Sequence, residues 1–334
     1  MSLKTNYTAL LVCLLLPMAV LAQRSGPRPV RQHVPLDSIR LSDPFILADA
    51  KTHLYYMTGT GGLLWKSPDL KFWDGPYEVA QPDPASWMGP KPMIWAAELH
   101  LYKGKYYYFA TFTNSALKVS ASDGRQLERR ACHVLVSDQP DGPYKPMSDA
   151  TYMPANRLTL DATLWVEKGR AYMVYCDEWL NNMNGTVEQI ALKPDFSGTV
   201  GEGRVLFRAS DSPWSRENPR SGPARPNKVT DGPFVFQTKT GRLGMLWTSW
   251  VYDVYTQGVA YSTSGKLAGP WVQEPAPITP PNYGHGMLFR TFGGKTLMAL
   301  HSHRDEHGQY IRIPRLFEVD LTGDKLVPGQ PYQP

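Results

Sequence analysis

The chain has 334 residues, with 28 glycines, 30 prolines, 10 tryptophans, 18 tyrosines and 11 phenylalanines; this composition predicts many strands and turns and excludes a chain built of long helices. Its formal charge of +5 comes from scattered Lys and Arg with no dense basic block, which excludes the footprint of a nucleic-acid binder.

Residues 1–22 read as a secretory leader. Lys4 supplies the positive end, Ala9 to Val20 is apolar, and Val20-Leu21-Ala22 offers small or short residues for cleavage after Ala22. The apolar run is too short to span a bilayer comfortably and no other stretch could do so. The expectation is a secreted or periplasmic protein with no membrane insertion of the mature chain. Residues 23–40, rich in Arg, Pro and Gln, are expected to form an N-terminal arm, and residues 41–330 a single domain. Cys132 and Cys176 remain in strand-like surroundings. Export permits a disulfide between them, but buried free thiols are the expectation.

The first strand unit opens at Asp43. Pro44 fixes its own φ and biases Asp43 toward an extended backbone, so the carboxylate stands at a strand entrance with a defined direction. Strands follow at Phe45 to Asp49 and His53 to Gly59. Comparable units open at Met93-Ile94-Trp95-Ala96-Ala97-Glu98, Leu160-Asp161-Ala162-Thr163, Val229-Thr230-Asp231-Gly232-Pro233-Phe234 and Gly284-His285-Gly286-Met287. Gly-Pro-aromatic turns recur at Gly75, Gly142 and Gly269. A unit of this kind cannot bury both faces alone, so neighbours must stack. The predicted fold is all-β, a five-bladed β-propeller. A β-sandwich is the other architecture compatible with many short strands, but so long a stretch without a domain break argues against it.

Radial stacking brings the unit starts together, so Asp43, Glu98, Asp161, Asp231 and His285 are expected around one pocket. Glycosidic hydrolysis needs a carboxylic acid to protonate the leaving oxygen and a carboxylate to activate water or attack. A third acidic group can tune the acid by like-charge repulsion. Asp43, Asp161 and Asp231 supply that set. Trp95, Trp179 and Trp250 offer flat apolar faces to a sugar ring, with core packing as the other use for each. Glu98 is expected in the pocket wall, or in a salt bridge. The polar segments Asp177 to Gly185, Trp250 to Tyr255 and His301 to Arg304 are expected to line the pocket. They bring Glu178 and His301 toward the substrate, with Arg304 and Arg312 as candidates for a sugar hydroxyl or an acidic neighbour.

These motifs, taken in order from Ser42 to Asp320, resemble glycoside hydrolase family 43. The resemblance implies a five-bladed propeller and an inverting hydrolase of plant-type oligo- or polysaccharides, acting on terminal α-L-arabinofuranosyl or β-D-xylosyl residues. A galactoside or galactofuranoside specificity and a non-catalytic glycan-binding propeller are the other readings. It further implies that Asp43 is the general base and Asp161 the aspartate that raises and orients the acid. Asp231 stands where the family has a glutamate acid, one methylene longer. Three readings follow: a closer blade that keeps Asp231 as the acid, a different acid such as Glu178 or Glu188, or a site weakened into a binding surface. His285 matches a histidine on the axis that touches a central calcium or its water. No cofactor is required, and a structural calcium is compatible with the resemblance, although calcium prefers oxygen ligands.

Overall fold

The computed structural model describes residues 29–121, 123–147, 152–303 and 309–334; the expected leader and Arg304 lie outside the described residues. Runs of β-branched and aromatic residues, punctuated by Gly, Pro and Asx turns, pair with their neighbours as antiparallel hairpins. The first sheet holds β1 (Arg31–Pro35), β2 (Phe45–Asp49), β3 (Leu54–Thr58), β4 (Leu63–Ser67) and β5 (Phe72–Glu78), in the order β1-β5-β4-β3-β2. Part of the expected N-terminal arm is therefore the outer strand of this sheet. The second sheet is β6 (Met93–Tyr102), β7 (Lys105–Ser120), β8 (Gln126–Ser137) and β9 (Lys145–Pro146). The third is β10 (Thr159–Glu167), β11 (Arg170–Asp177), β12 (Thr186–Leu192) and β13 (Thr199–Arg208), with the single-turn helix α1 (Trp179–Asn182) between β11 and β12.

The remaining strands form one sheet of eight: β14 (Asp231–Gln237), β15 (Leu243–Val251), β16 (Val254–Ser262), β17 (Trp271–Gln273), β18 (Tyr283–Arg290), β19 (Thr296–Ser302), β20 (Ile313–Asp320) and β21 (Val327–Pro331). β16 and β18 meet through the single parallel pair Thr256–Tyr283, which divides that sheet into two antiparallel groups. The leading strands of the five groups close a cycle: β2 packs on β6, β6 on β10, β10 on β14, β14 on β18 and β18 on β2. That closure is the five-bladed propeller expected from the repeated units.

The hydrophobic core is divided around the ring. Phe109 and Val134 of the second blade meet Met173 and Tyr175 of the third, and Val174 and Val187 of the third meet Met245 and Trp247 of the fourth. Tyr56 and Leu64 meet Leu99 and Tyr108 between the first and second blades, and Phe45 and Ile46 meet Met287 and Phe289 across the closure. A fully buried aromatic side chain contributes about 1.5–3 kcal/mol, so stability is distributed over every blade junction. Cys132 and Cys176 are buried free thiols within these junctions.

Candidate active site

The same distortion opens every blade. At Asp43, Ala96, Asp161, Gly232 and His285 the backbone is left-handed, with φ of 57°, 42°, 56°, 49° and 54°; for Asp43 this replaces the extended backbone expected before Pro44. In β6, β10, β14 and β18 the ladder register breaks across that residue and the next. A bulge of this kind bends the strand and re-aims its side chains. A non-glycine residue held left-handed costs roughly 1–3 kcal/mol and persists only where its surroundings fix it. Here the fixing group is an acceptor from the preceding blade. Ala96 N–H donates to Thr60 Oγ1 at 3.0 Å, Asp161 N–H to Thr111 Oγ1 at 2.9 Å, and His285 N–H to Thr248 Oγ1 at 2.8 Å. For Asp43 the acceptor is His301 Nδ1 at 3.0 Å, and for Gly232 it is Asp161 Oδ2 at 3.0 Å.

This register separates residues that the motifs place together. Asp231 precedes the left-handed position of its blade, which belongs to Gly232. A Cβ on Gly232 would lie 2.7 Å from the His285 ring, so that position accepts only glycine. Ala96, not Glu98, is the second blade's counterpart of Asp43. Glu98 sits further along β6, pairs with His100 at 2.8 Å, and does not line the pocket.

A pocket of about 180 Å³ opens over the axis. Asp43, Asp161, Asp231 and His285 lie at its base, and Trp95, Glu178, Trp179 and Trp250 also line it. His285 Nδ1 is 3.2 Å from Asp43 Oδ1 and 3.9 Å from Asp161 Oδ2. Arg130, Asn218, Arg220, Tyr255, His303 and Arg312 complete the wall. Arg130 is paired with Glu178 and lies over the Trp95 ring at 5.1 Å. Arg130 Nε and Trp95 Nε1 both donate to Thr113 Oγ1 at 3.0 Å, which fixes the Trp95 face.

Two residues expected in the site, Glu188 and His301, lie behind the pocket. Glu188 is buried in a cluster with Arg157, Tyr175 and Thr186, where Arg157 also holds Asp177; it serves the interior of the third blade. His301 is 1% exposed and fills, for Asp43, the acceptor's place that threonine fills elsewhere. Its Nδ1 accepts, so its proton is on Nε2.

The electrostatics set the carboxyl groups apart. Burial opposes ionisation of Asp43, but His285, His301, Arg312 and the Thr60 hydroxyl outweigh it and hold its pKa at about 2. Burial holds His301 at about 3, so near neutrality it acts as an uncharged acceptor and Arg312 supplies the lasting positive charge. Asp161 is pushed well above the usual carboxylate range, first by burial, then by Asp231 and Asp43. Tyr255, itself kept protonated by burial and by Asp231, donates to Asp231 Oδ2 at 2.7 Å. The Asp161 carboxyl is hydrogen-bonded to Asp231, so the proton it keeps lies beside the Asp231 carboxyl group. Glu178 is raised by burial, against the pull of Arg130. An ionised carboxylate, Asp43, in one pocket with a carboxyl group that keeps its proton, Asp161, is an acid–base arrangement.

Asp161, Asp231 and His285 offer ligand atoms within 4.8 Å of one another. Calcium takes six to eight oxygen ligands, waters included, so these residues would supply at most part of its shell.

The model of Glycosyl hydrolases family 43 matches residues 33–325. Among solved structures, an endo-arabinase from Bacteroides thetaiotaomicron VPI-5482 is 31% identical with a TM-score of 0.77, covering 88% of this chain and 99% of its own. A thermostable family-43 glycoside hydrolase is similar at 19% identity and TM-score 0.72, covering 91% and 98%. An alpha-L-arabinofuranosidase from Lactobacillus brevis is similar at 18% identity and TM-score 0.65, covering 90% and 100%. No curated protein matches the chain.

Proposed function

This chain belongs to glycosyl hydrolases family 43 and is a glycoside hydrolase, and from that premise we propose that it releases terminal α-L-arabinofuranosyl residues from plant-type oligo- or polysaccharides, by single displacement with inversion. The observation that carries the proposal is the placement of Asp43, Asp161 and Asp231 in one small pocket, with Asp43 held ionised and Asp161 keeping its proton hydrogen-bonded to Asp231. Asp43 takes a proton from the attacking water. Asp231, more accessible than Asp161, protonates the departing oxygen. Asp161 keeps its proton beside Asp231 and stays behind it, fixed by Gly232 N–H. Tyr255 orients Asp231.

The sugar assignment is supported by the 31% identity to an endo-arabinase. Exo-action is supported by pocket size: about 180 Å³ is below the roughly 300–1,000 Å³ of drug-sized ligand sites and suits a single sugar ring. The pocket is also walled. Arg225 reaches Asp123 at the β7–β8 turn, Arg125 of that turn donates to Leu180 O at 2.6 Å, and Arg220 donates to Tyr310 at 2.6 Å. An exported protein would meet such a substrate, in keeping with the leader expected over residues 1–22.

The test is hydrolysis of aryl α-L-arabinofuranoside, β-D-xyloside, β-D-galactoside and β-D-galactofuranoside, with the anomer of the first-formed sugar followed by NMR. Turnover of the arabinofuranoside above the others, with inverted product, is expected. Preference for another glycoside, or retention, overturns the corresponding part.

A further inference from the structure

Among the described residues, the mouth of the pocket carries more positive charge than the reaction uses. Arg312 lies in the field of Asp43 and donates Nη1 to Ser42 Oγ at 3.1 Å. Arg220, in the connection between β13 and β14, has no carboxylate partner among the described residues. It donates Nη2 to Tyr310 Oη at 2.6 Å, and Arg312 donates Nη2 to the same oxygen at 3.0 Å. Two guanidinium groups thus converge on one uncharged phenol oxygen. The Trp250 and Tyr310 rings beneath Arg220, at 5.6 and 5.1 Å, offset part of that repulsion, but neither neutralises it.

The surrounding chain has the same bias. Residues 216–228 contain Arg216, Arg220, Arg225 and Lys228 against one acid, Glu217, so the charge is less evenly scattered than the whole-chain count suggests. Of the four cations, Arg225 alone has a carboxylate partner among the described residues, Asp123. Arg216 is turned onto the carbonyls of Pro213 and Ser215. The Arg220 side chain uses only Nη2 on described protein groups, and Arg220 lines the pocket.

We propose that this basic rim binds the carboxylate of a hexuronate on the leaving side of the cleaved bond, so that the preferred substrate is an acidic glycan carrying a terminal arabinofuranosyl residue. A planar carboxylate matches the guanidinium fork in a way that a sugar hydroxyl does not. The rim is part of the wall of the pocket that holds the terminal sugar, so the next residue of the substrate passes against it. The inference rests on the arabinofuranosidase reading given above and names the acceptor that the reading leaves open.

The experiment compares arabinofuranosyl oligosaccharides whose acceptor is a hexuronate with the same compounds after carboxyl reduction to the neutral hexose. At low salt the acidic substrate should show a kcat/KM about tenfold higher, the scale of one charge-assisted hydrogen bond. The preference should fade between about 0.01 and 1 M salt, as the screening length drops from about 30 to about 3 Å. Arg220→Gln should remove it, and Arg220→Lys should keep part of it. Equal kcat/KM on both substrates, or a preference untouched by Arg220→Gln, overturns the proposal and leaves the arabinofuranosyl reading standing. Failure to hydrolyse either compound, or an aryl α-L-arabinofuranoside, overturns that reading and this inference with it.

Discussion

Gly232 N–H donates to Asp161 Oδ2 at 3.0 Å, tying the buried carboxyl of the third blade to the residue that follows Asp231. In three other blades a threonine hydroxyl accepts the matching bond. Asp161 therefore replaces a structural acceptor with a titratable one. The bond fixes the left-handed backbone of Gly232, the orientation of Asp161, and the point from which Asp231 enters the pocket.

If Asp231 delivers the proton, Asp231→Asn should lose about 10²–10⁴-fold in kcat/KM on an arabino-oligosaccharide. It should retain most activity on a dinitrophenyl arabinofuranoside, whose leaving group departs without protonation. Glu178→Gln, which alters the pocket's buried glutamate, should show no such split. Kinetics of both variants on both substrates decide the matter: a uniform loss in the first, or a split in the second, moves the acid's role to Glu178.

The two buried aspartates should respond to pH with opposite sign. Asp43 is held near 2, below its ordinary 3.8, so it adds stability above pH 3.8 that is lost as pH falls toward 2; the shift corresponds to an order of 2 kcal/mol. Asp161 is raised above 3.8, so the folded state binds more protons than the unfolded one, and its contribution to stability falls as pH rises above 3.8. Asp43→Asn should therefore melt below the parent at pH 7. Asp161→Asn should melt above it, by a margin that grows from pH 4 to pH 8, while losing activity. Thermal unfolding across that range measures both; a destabilised Asp161→Asn at pH 8 would contradict the assignment.

How much of this was legible in the sequence depended on whether a residue's role is local. Asp43 and Asp161 open their strands and stand out as polar residues before apolar runs. Asp231 stands out equally, but its offset is visible only when Pro44-Phe45 is set against Pro233-Phe234, which puts Gly232 opposite Asp43. Trp95 and Trp250 are placed by the strand ends that carry them, and Trp179 by the single-turn helix that follows β11. Glu98 and Glu188 fail because a one- or two-residue displacement along a strand exchanges pocket for interior, and motif spacing does not fix bulges. Arg130 has no local signal: it lies inside β8 and gains its role from Glu178 of the third blade, whereas Tyr255 closes a segment expected to line the pocket and meets Asp231 of its own blade. Arg220 had one, the proline- and arginine-rich run from Arg216 to Lys228.

His301 supports Asp43 from behind. Its Nδ1 accepts the Asp43 N–H at 3.0 Å and lies 3.4 Å from Oδ1. His301→Leu leaves a buried N–H without an acceptor, which costs about 1–3 kcal/mol. It also frees the backbone that aims the base, and a 1 Å displacement can cost about a hundredfold in rate. The expected result is a fall in kcat with little change in KM, and partial recovery in His301→Asn, which restores an acceptor. A loss confined to KM would instead return His301 to the substrate.

The contact between Asp123 and Arg225 joins the β7–β8 turn to the loop before β14, and Arg125 joins the same turn to Leu180. Between them they bridge the second, third and fourth blades across one side of the pocket. Exposed ion pairs contribute about 0.2–1 kcal/mol, so Asp123→Ala combined with Arg125→Ala should leave the melting temperature within about 2–4 °C of the parent. The wall would open, however, and internal bonds of a linear arabinan could reach Asp43 and Asp231. Chromatography of early products should then show oligosaccharides where the parent releases only the monosaccharide. Monosaccharide alone from the double variant would mean that the pocket's depth, rather than this bridge, limits the enzyme to chain ends.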